Sequence, residues 1–172
     1  MTSAPSHPAP PDPLGLVPRL LHRDASVLIL DKPAGLPVHK GPGGGETLAD
    51  HLHVLRFGLP RDPELAHRLD KDTAGCLVLG RHRRALERLG DLFKRNEAKK
   101  TYWAVVEGGP AAEEGEIAIA MSPRDPKRGW WMKADPAGQP ALTRFRVLGR
   151  GEGRSWLALE PVTGRTHQLR LH

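Results

Sequence analysis

The chain has 172 residues, a length typical of one domain or of one domain with a short tail. Lysine and arginine outnumber aspartate and glutamate by 26 to 20, so the net charge of +6 excludes an acidic protein and favours polyanionic partners, although ordinary solubility charge explains the excess equally well. One cysteine excludes an internal disulfide, and the lack of a long apolar run or an apolar leader predicts a cytoplasmic protein without a membrane span.

The first half of the chain predicts strands and helices in an irregular order. Residues 1–15 predict a disordered tail, because five of the first 13 residues are prolines and few are large and apolar. The apolar run Val27–Leu30 predicts a strand, and a helix is expected from Thr47 to about Phe57. Cys76–Leu79 predicts a buried strand with Cys76 as a small core residue, and the apolar spacing over His82–Asn96 predicts an amphipathic helix.

The second half predicts mainly strands. Thr101–Glu107 alternates in polarity and is rich in valine and aromatic residues, as is typical of a strand. Further strands are expected over Glu116–Ala120, Leu142–Val147 and Ser155–Glu160. Because strands outnumber helices and do not alternate regularly with them, the pattern predicts an α+β fold with a mixed or mainly antiparallel sheet.

Basic residues are concentrated in one stretch. Residues 81–100 carry eight basic and three acidic side chains, whereas residues 101–121 carry four acidic ones and no basic one. A helix with this bias suits a phosphate backbone, and a solvated helix face is the alternative. Trp130–Trp131, with basic residues nearby, is interpreted as an RNA-stacking loop or as a hairpin with one inward tryptophan. His51 and His53 fall on different faces of a helix, which argues against a metal site.

The most informative segment runs from His67 to Gly75, with the sequence His-Arg-Leu-Asp-Lys-Asp-Thr-Ala-Gly. It places the carboxylate of Asp70 among cationic side chains, which keep such a group ionised, and a turn and a buried strand follow it. An ionised carboxylate at the end of a loop suits nucleophilic or electrostatic work at a sugar or base carbon. A surface cluster of salt bridges is the alternative that these residues leave open.

This segment resembles the signature of the RluA-type pseudouridine synthases. Three further segments resemble other parts of that family and occur in the family's order: Asp31–His39, Lys99–Val106 and Pro161–His172. Four motifs in one order, spread from about residue 20 to the end of the chain, make the match specific. The resemblance implies a pseudouridine synthase catalytic fold, which has a mixed, mainly antiparallel central sheet with flanking helices and a cleft across its middle.

The resemblance also implies roles for individual residues. Asp70 matches the family's essential aspartate, Tyr102 the tyrosine that stacks on the target base, and Arg170 the basic residue that pairs with the aspartate. Arg68 matches an arginine implicated in displacing the target base from the RNA stack. The candidate substrate-binding residues are His67, Arg68, Lys99, Lys100, Arg165 and His167. The implied partner is a uridine-containing loop of rRNA or tRNA; no cofactor or metal is expected, and we expect a monomer.

Two features of this chain depart from the family's pattern. Ala74 stands where a serine is usual, and the catalytic domain expected over residues 16–172 lacks the family's C-terminal elements. Thr166 would cap a helix of barely one turn, so we expect Arg170 to be poorly fixed. Two other readings stay open: a catalytically impaired RNA-binding remnant, and a glycosidase-like hydrolase in which Asp72 acts as the second carboxylate.

Overall fold

The computed structural model describes residues 10–41, 43–122 and 132–172. The chain divides into two compact units, Met1–Arg95 and Asn96–His172, and each unit carries a four-stranded sheet. Every strand pairing among the described residues is antiparallel, which together with the few helices confirms the predicted α+β class. The single catalytic domain predicted over residues 16–172 stays a prediction.

The first unit holds a sheet with strand order β1-β2-β4-β3. Its strands are β1 (Leu20–Arg23), β2 (Val27–Lys32), β3 (Glu64–Leu65) and β4 (Gly75–Gly80). Within the predicted tail, the Asp12 carboxylate accepts the backbone N–H groups of Leu16 and Val17, both at 2.8 Å. Residues 1–9 of that tail lie outside the described ranges.

The turn between β1 and β2 is built around Asp24. Its carboxylate bonds His22 Nε2 at 3.0 Å and accepts the N–H groups of Ser26 and Val27, both at 2.7 Å. The hydrogen bond with His22, reinforced by those two N–H groups, lowers the pKa of Asp24 to about 2. The turn is therefore held by an ionised carboxylate.

Buried leucines on one face of β2 and β4 form the core of the first sheet. Leu28 and Leu30 alternate with half-buried residues on β2, and Leu77 and Leu79 are their buried partners on β4. Cys76 is exposed, so its prediction as a core residue is wrong. The apolar run Cys76–Leu79 suggested a strand buried on both faces, but the side chains of a strand alternate, and Cys76 faces away from the leucines.

Two helices of the first unit begin where the sequence indicates. Leu48–Leu55 is a 3-10 helix that begins after Thr47, whose N–H and hydroxyl both donate to the Asp50 carboxylate, at 3.0 and 2.9 Å. Helix α1 spans Arg83–Lys94, and His82 Nδ1 accepts the N–H of Ala85 at 3.2 Å at its start. Ala85 is buried on its apolar face.

The second unit holds a sheet with strand order β5-β8-β7-β6. Its elements are β5 (Tyr102–Glu107), β6 (Glu114–Ala118), β7 (Leu142–Gly151), β8 (Arg154–Pro161) and the short helix α2 (Gln168–Leu171). Trp130–Trp131 lies outside the described residues. Across the described part of the chain, no helix has the length and apolar composition needed to cross a bilayer.

Candidate active site

Asp70 lies in a turn between a buried leucine and the start of β4. Leu69 is buried, Asp70 is half-buried, and the Asp70 carbonyl accepts the N–H of Thr73 at 3.1 Å. The turn ends at Gly75, whose φ of +113° is strained for any residue with a side chain. The glycine therefore lets the chain enter β4 directly after the turn that carries the carboxylate.

This turn is bound by the Asp31–His39 segment, and Lys71 makes the connection. The carbonyl of Lys71 accepts two hydrogen bonds, from Lys32 Nζ at 3.0 Å and from the N–H of Gly35 at 2.9 Å. Strand pairing also holds the two segments together, because Lys32 lies opposite Gly75 in the β2–β4 register. Two of the four sequence motifs thus form one structure around the residue that follows Asp70.

Lys32 is a buried charged residue beside the Asp70 turn. Its side chain is fully buried, and Nζ also donates to the carbonyls of Pro33 and Leu36, each at 2.8 Å. Burial lowers the pKa of Lys32, while the charges of Asp72 and Asp70 oppose that change. Lys32 therefore holds the loop that carries Asp70 through hydrogen bonds to three backbone carbonyls.

Lys32 was not among the predicted site residues. A signal was present, because Lys32 continues the inward-facing series of Leu28 and Leu30 on β2. A lysine at an inward position needs several acceptors, and backbone carbonyls in a tight loop can supply them.

His67 and Arg68 precede Asp70 and differ in what holds them. His67 Nε2 accepts the N–H of Val78 at 3.0 Å, which requires the imidazole to be unprotonated at that atom, and its ring lies 4.5 Å from that of Phe93. Arg68 is exposed. His67 therefore helps fix this segment to β4, whereas Arg68 extends towards solvent.

Tyr102 and the basic residues before it lie at the start of β5 in the second unit. Tyr102 is half-buried and pairs with Leu159 of β8, while Trp103, on the opposite face of the strand, is 72% exposed. Lys99 is exposed, and a Cβ built on Gly164 would lie 3.8 Å from Lys100 Nζ. The Lys99–Val106 and Pro161–His172 motifs are thus neighbours within this unit.

The last helix is anchored by a buried amide that the sequence analysis missed. Gln168 Oε1 accepts hydrogen bonds from the Thr163 hydroxyl at 2.7 Å and from the N–H of Arg165 at 3.0 Å. Gln168 Nε2 donates to the carbonyl of Leu142 and to Thr143 Oγ1, both at 2.9 Å. All four hydrogen-bonding positions of the amide are used, so the helix that carries Arg170 is joined to β7 despite having one turn.

The predicted cap at Thr166 is wrong, because α2 begins after His167. His167 has a φ of 55°, a left-handed conformation that is uncommon for a residue with a side chain and that often marks functional sites. Arg165 Nε donates to the carbonyl of Pro140 at 3.2 Å, and Arg170 is exposed.

The predicted site residues are therefore distributed over both units. Asp70 lies with His67 and Arg68 in the first unit. The second unit brings the remaining ones into two adjoining motifs: Lys99, Lys100, Tyr102, Arg165, His167 and Arg170.

Comparison with known proteins agrees with the motifs. The family model described as RNA pseudouridylate synthase matches residues 26–172. An uncharacterized RNA pseudouridine synthase of Zymomonas mobilis is 45% identical over 158 residues, which are 91% of this chain and 72% of that protein. The ribosomal large subunit pseudouridine synthase C of Vibrio cholerae is 36% identical over 172 residues, which cover 97% of this chain and 54% of that protein.

The solved structure of human RNA pseudouridylate synthase domain containing 4 has a similar fold. It matches with a TM-score of 0.77 and 29% identity over 91% of this chain and 64% of that one. The chain spans about half the length of several curated relatives, for example 49% of a Synechocystis protein and 55% of a Xenopus tropicalis protein. The similarity thus covers nearly all of this chain and a part of most of those proteins.

Proposed function

The chain belongs to the RNA pseudouridylate synthase family, and from this we propose that it isomerises a specific uridine to pseudouridine in RNA. The observation that carries the proposal is the binding of the Asp70 turn by the Asp31–His39 segment through Lys32, Gly35 and Lys71. Such a turn holds a half-buried carboxylate in one place, as a reaction at a sugar or base carbon requires.

The reaction breaks the bond between C1′ and N1 of uridine and forms one between C1′ and C5. The C5 hydrogen leaves as a proton and N1 gains one, so there is no net oxidation and no group is lost. We propose Asp70 as the catalytic nucleophile or base. Attack on the sugar, attack on the base and removal of a 2′ proton are the three forms that this role can take.

The target base must leave its stack before Asp70 can reach its sugar. This costs a few kcal/mol and is easiest in a single-stranded loop. We propose that Tyr102 offsets part of that cost by stacking on the base, an effect of about 1–3 kcal/mol per base. In the same proposal Arg68 displaces the base or its neighbours, and Arg170 is the cation that helps keep the carboxylate charged.

We propose rRNA as the substrate in preference to tRNA, because relatives of this chain in Vibrio cholerae and Buchnera aphidicola are named for the large ribosomal subunit. The other basic candidates, His67, Lys99, Lys100, Arg165 and His167, would contact the RNA around the target. A cytoplasmic location and a monomeric state stay predictions.

The test is release of tritium from large-subunit rRNA transcribed with 5-tritiated uridine. We expect the wild-type chain to release tritium, Asp70→Asn to release none above background, and Asp72→Asn to keep most of the activity. Asp72 is a matched control because it is exposed and lies in the same turn. Salt-sensitive RNA binding without release by the wild-type chain would support the RNA-binding remnant, and free uracil among the products would support the hydrolase.

A further inference from the structure

A pocket of about 450 Å³ in the first unit opens beside the segment that leads to Asp70. One wall is formed by Ala49 and Leu52 of the 3-10 helix, and Leu65 of β3 forms another. Apolar atoms supply most of the exposed lining. A volume in the range typical of small-ligand sites and a largely apolar lining suit a flat, weakly polar ring.

The walls of the pocket are fixed before any ligand binds. The N–H of Ala49 donates to the carbonyl of Val38 at 3.2 Å, which holds the 3-10 helix beside His39. Leu65 pairs with Leu79 of β4, and the N–H of Ala66 donates to the carbonyl of Val78 at 3.0 Å. A ligand would therefore enter a preformed site, which limits the entropy lost on binding.

The pocket is also lined by four polar side chains: the half-buried His67, and Glu64, His39 and Arg68 at the rim. The three rim residues are exposed, and their side chains make no hydrogen bond or ion pair with any residue that the structure describes. The carboxylate of Glu64 accepts hydrogen bonds, the guanidinium of Arg68 donates them, and a neutral imidazole does either. A ligand that fits this rim has donors and acceptors on the edge of a flat ring.

A nucleobase can use both the apolar walls and the mixed rim of the pocket. A phosphate could use only the basic groups Arg68 and His39, and Glu64 would repel it. Among the bases, guanine offers two adjacent N–H donors to a carboxylate and the acceptors O6 and N7 to a guanidinium.

The position of the pocket connects it to the proposed reaction. Arg68 is two residues before Asp70, and two residues of extended chain span at most ~7 Å. A base held at Arg68 would therefore belong to a nucleotide close to the one whose sugar meets Asp70. We propose that this pocket binds an unpaired nucleobase flanking the target uridine, with a preference for guanine; this rests on the proposed action on RNA.

Binding of single nucleotides tests the pocket without knowledge of the RNA. We would follow the methyl NMR signals of Ala49 and Leu52 in the full chain while adding GMP, UMP or ribose 5-phosphate. We expect GMP to shift both signals at lower concentration than UMP, and ribose 5-phosphate to leave them in place. Equal shifts with ribose 5-phosphate, or no shift with GMP, would refute the inference.

Two variants show whether the pocket affects RNA binding. Ala49→Leu fills the pocket, and Glu64→Gln removes the rim carboxylate at an exposed position where no loss of folding is expected. Wild-type protein should bind a labelled decauridylate with one internal guanosine about fivefold more tightly than plain decauridylate, which corresponds to about 1 kcal/mol. Both variants should bring this ratio close to one.

A matched control distinguishes the loss of the Glu64 carboxylate from the effect of a change in net charge. Glu114→Gln makes the same change at an exposed residue of β6, in the other unit, and should keep the wild-type ratio. A fivefold ratio that persists in Glu64→Gln would refute the preference for guanine.

The tritium assay keeps the two proposals distinguishable. If GMP shifts the Ala49 and Leu52 signals but the chain releases no tritium, the proposed function is refuted and binding of a nucleobase in the pocket is not. If the chain releases tritium but GMP does not shift these signals, only the proposed nucleobase site is refuted.

Discussion

Replacing Lys32 with methionine tests whether a buried ammonium holds the Asp70 turn. Methionine has a similar length and flexibility, so Lys32→Met removes the charge and three hydrogen bonds with little change in volume. It leaves the carbonyls of Pro33, Leu36 and Lys71 without this donor, in a place where the lysine is fully buried. The Lys71 carbonyl keeps its bond from Gly35.

The expected loss of stability follows from two opposing effects. A hydrogen bond from a charged donor contributes about 1.5–3 kcal/mol, and Lys32 makes three of them. Taking an ammonium out of water opposes this by several kcal/mol. We therefore expect Lys32→Met to lower the free energy of unfolding of the first unit by about 2–4 kcal/mol.

The measurement has to report on the first unit. All four tryptophans follow residue 100 in the sequence, so tryptophan fluorescence reports on the second unit. Native-state hydrogen exchange of the β2 and β4 amides gives the free energy of opening of the first sheet. Leu30→Ala is the matched control, because Leu30 is buried on the same strand and its truncation costs about 2–5 kcal/mol.

Activity then separates positioning from general stability. Measured where both variants are folded, tritium release should fall at least tenfold in Lys32→Met and stay near the wild-type rate in Leu30→Ala. Unchanged exchange of the β2 amides in Lys32→Met, or equal activity of the two variants, would refute the role assigned to Lys32.

Three further predictions concern other parts of the chain. Gln168→Leu removes the four hydrogen bonds of the Gln168 amide and should lower the free energy of unfolding of the second unit by about 2–4 kcal/mol. Urea unfolding followed by tryptophan fluorescence measures this change, and an unchanged urea midpoint would contradict the prediction. Arg88→Gln should reduce the slope of log binding constant against log salt for single-stranded RNA by about 0.7. Arg83→Gln should change this slope less, because the Arg83 guanidinium already pairs with Glu87 at 2.8 Å; a wild-type slope in Arg88→Gln would contradict a contact between α1 and the phosphates. The pKa of Asp24 is lowered to about 2 by its hydrogen bond with His22 and by two backbone N–H groups, so the ionised carboxylate should stabilise the fold fully above the ordinary pKa of 3.8 and lose this effect as the pH falls towards 2. Asp24→Asn should remove this pH dependence of stability. An Asp24 carboxyl NMR signal that titrates near pH 3.8 would contradict the prediction.

Strands and helices were predicted well where the pattern is local. Val27–Leu30 lies within β2, the strand expected over Thr101–Glu107 is β5 and begins at Tyr102, and the helix expected over His82–Asn96 is α1. The helix expected after Thr47 has the predicted start, but it is a 3-10 helix that ends at Leu55. Cys76 shows the limit of such reasoning, since an apolar run does not reveal which face of a strand meets the core.

The candidate site was predicted as a set of motifs and not as a network of contacts. Asp70 and Tyr102 were identified by their motifs, whereas the anchors Lys32 and Gln168 were not assigned roles. Lys32 bonds backbone carbonyls, and Gln168 bonds two backbone groups and two threonine hydroxyls. A backbone group carries no mark in the sequence that identifies its partner.

The sequence by itself determined the family, the class of fold and the order of the four motifs, because these depend on residue type and local spacing. Only the tertiary structure decided that Lys32 reaches the carbonyl of Lys71, 39 positions away in the chain. It also decided that Ala49, Leu65 and Arg68 border one pocket. Contacts of this kind depend on strand register and on which side chains are buried together, and both are fixed by the packing of the whole chain and not by any one segment.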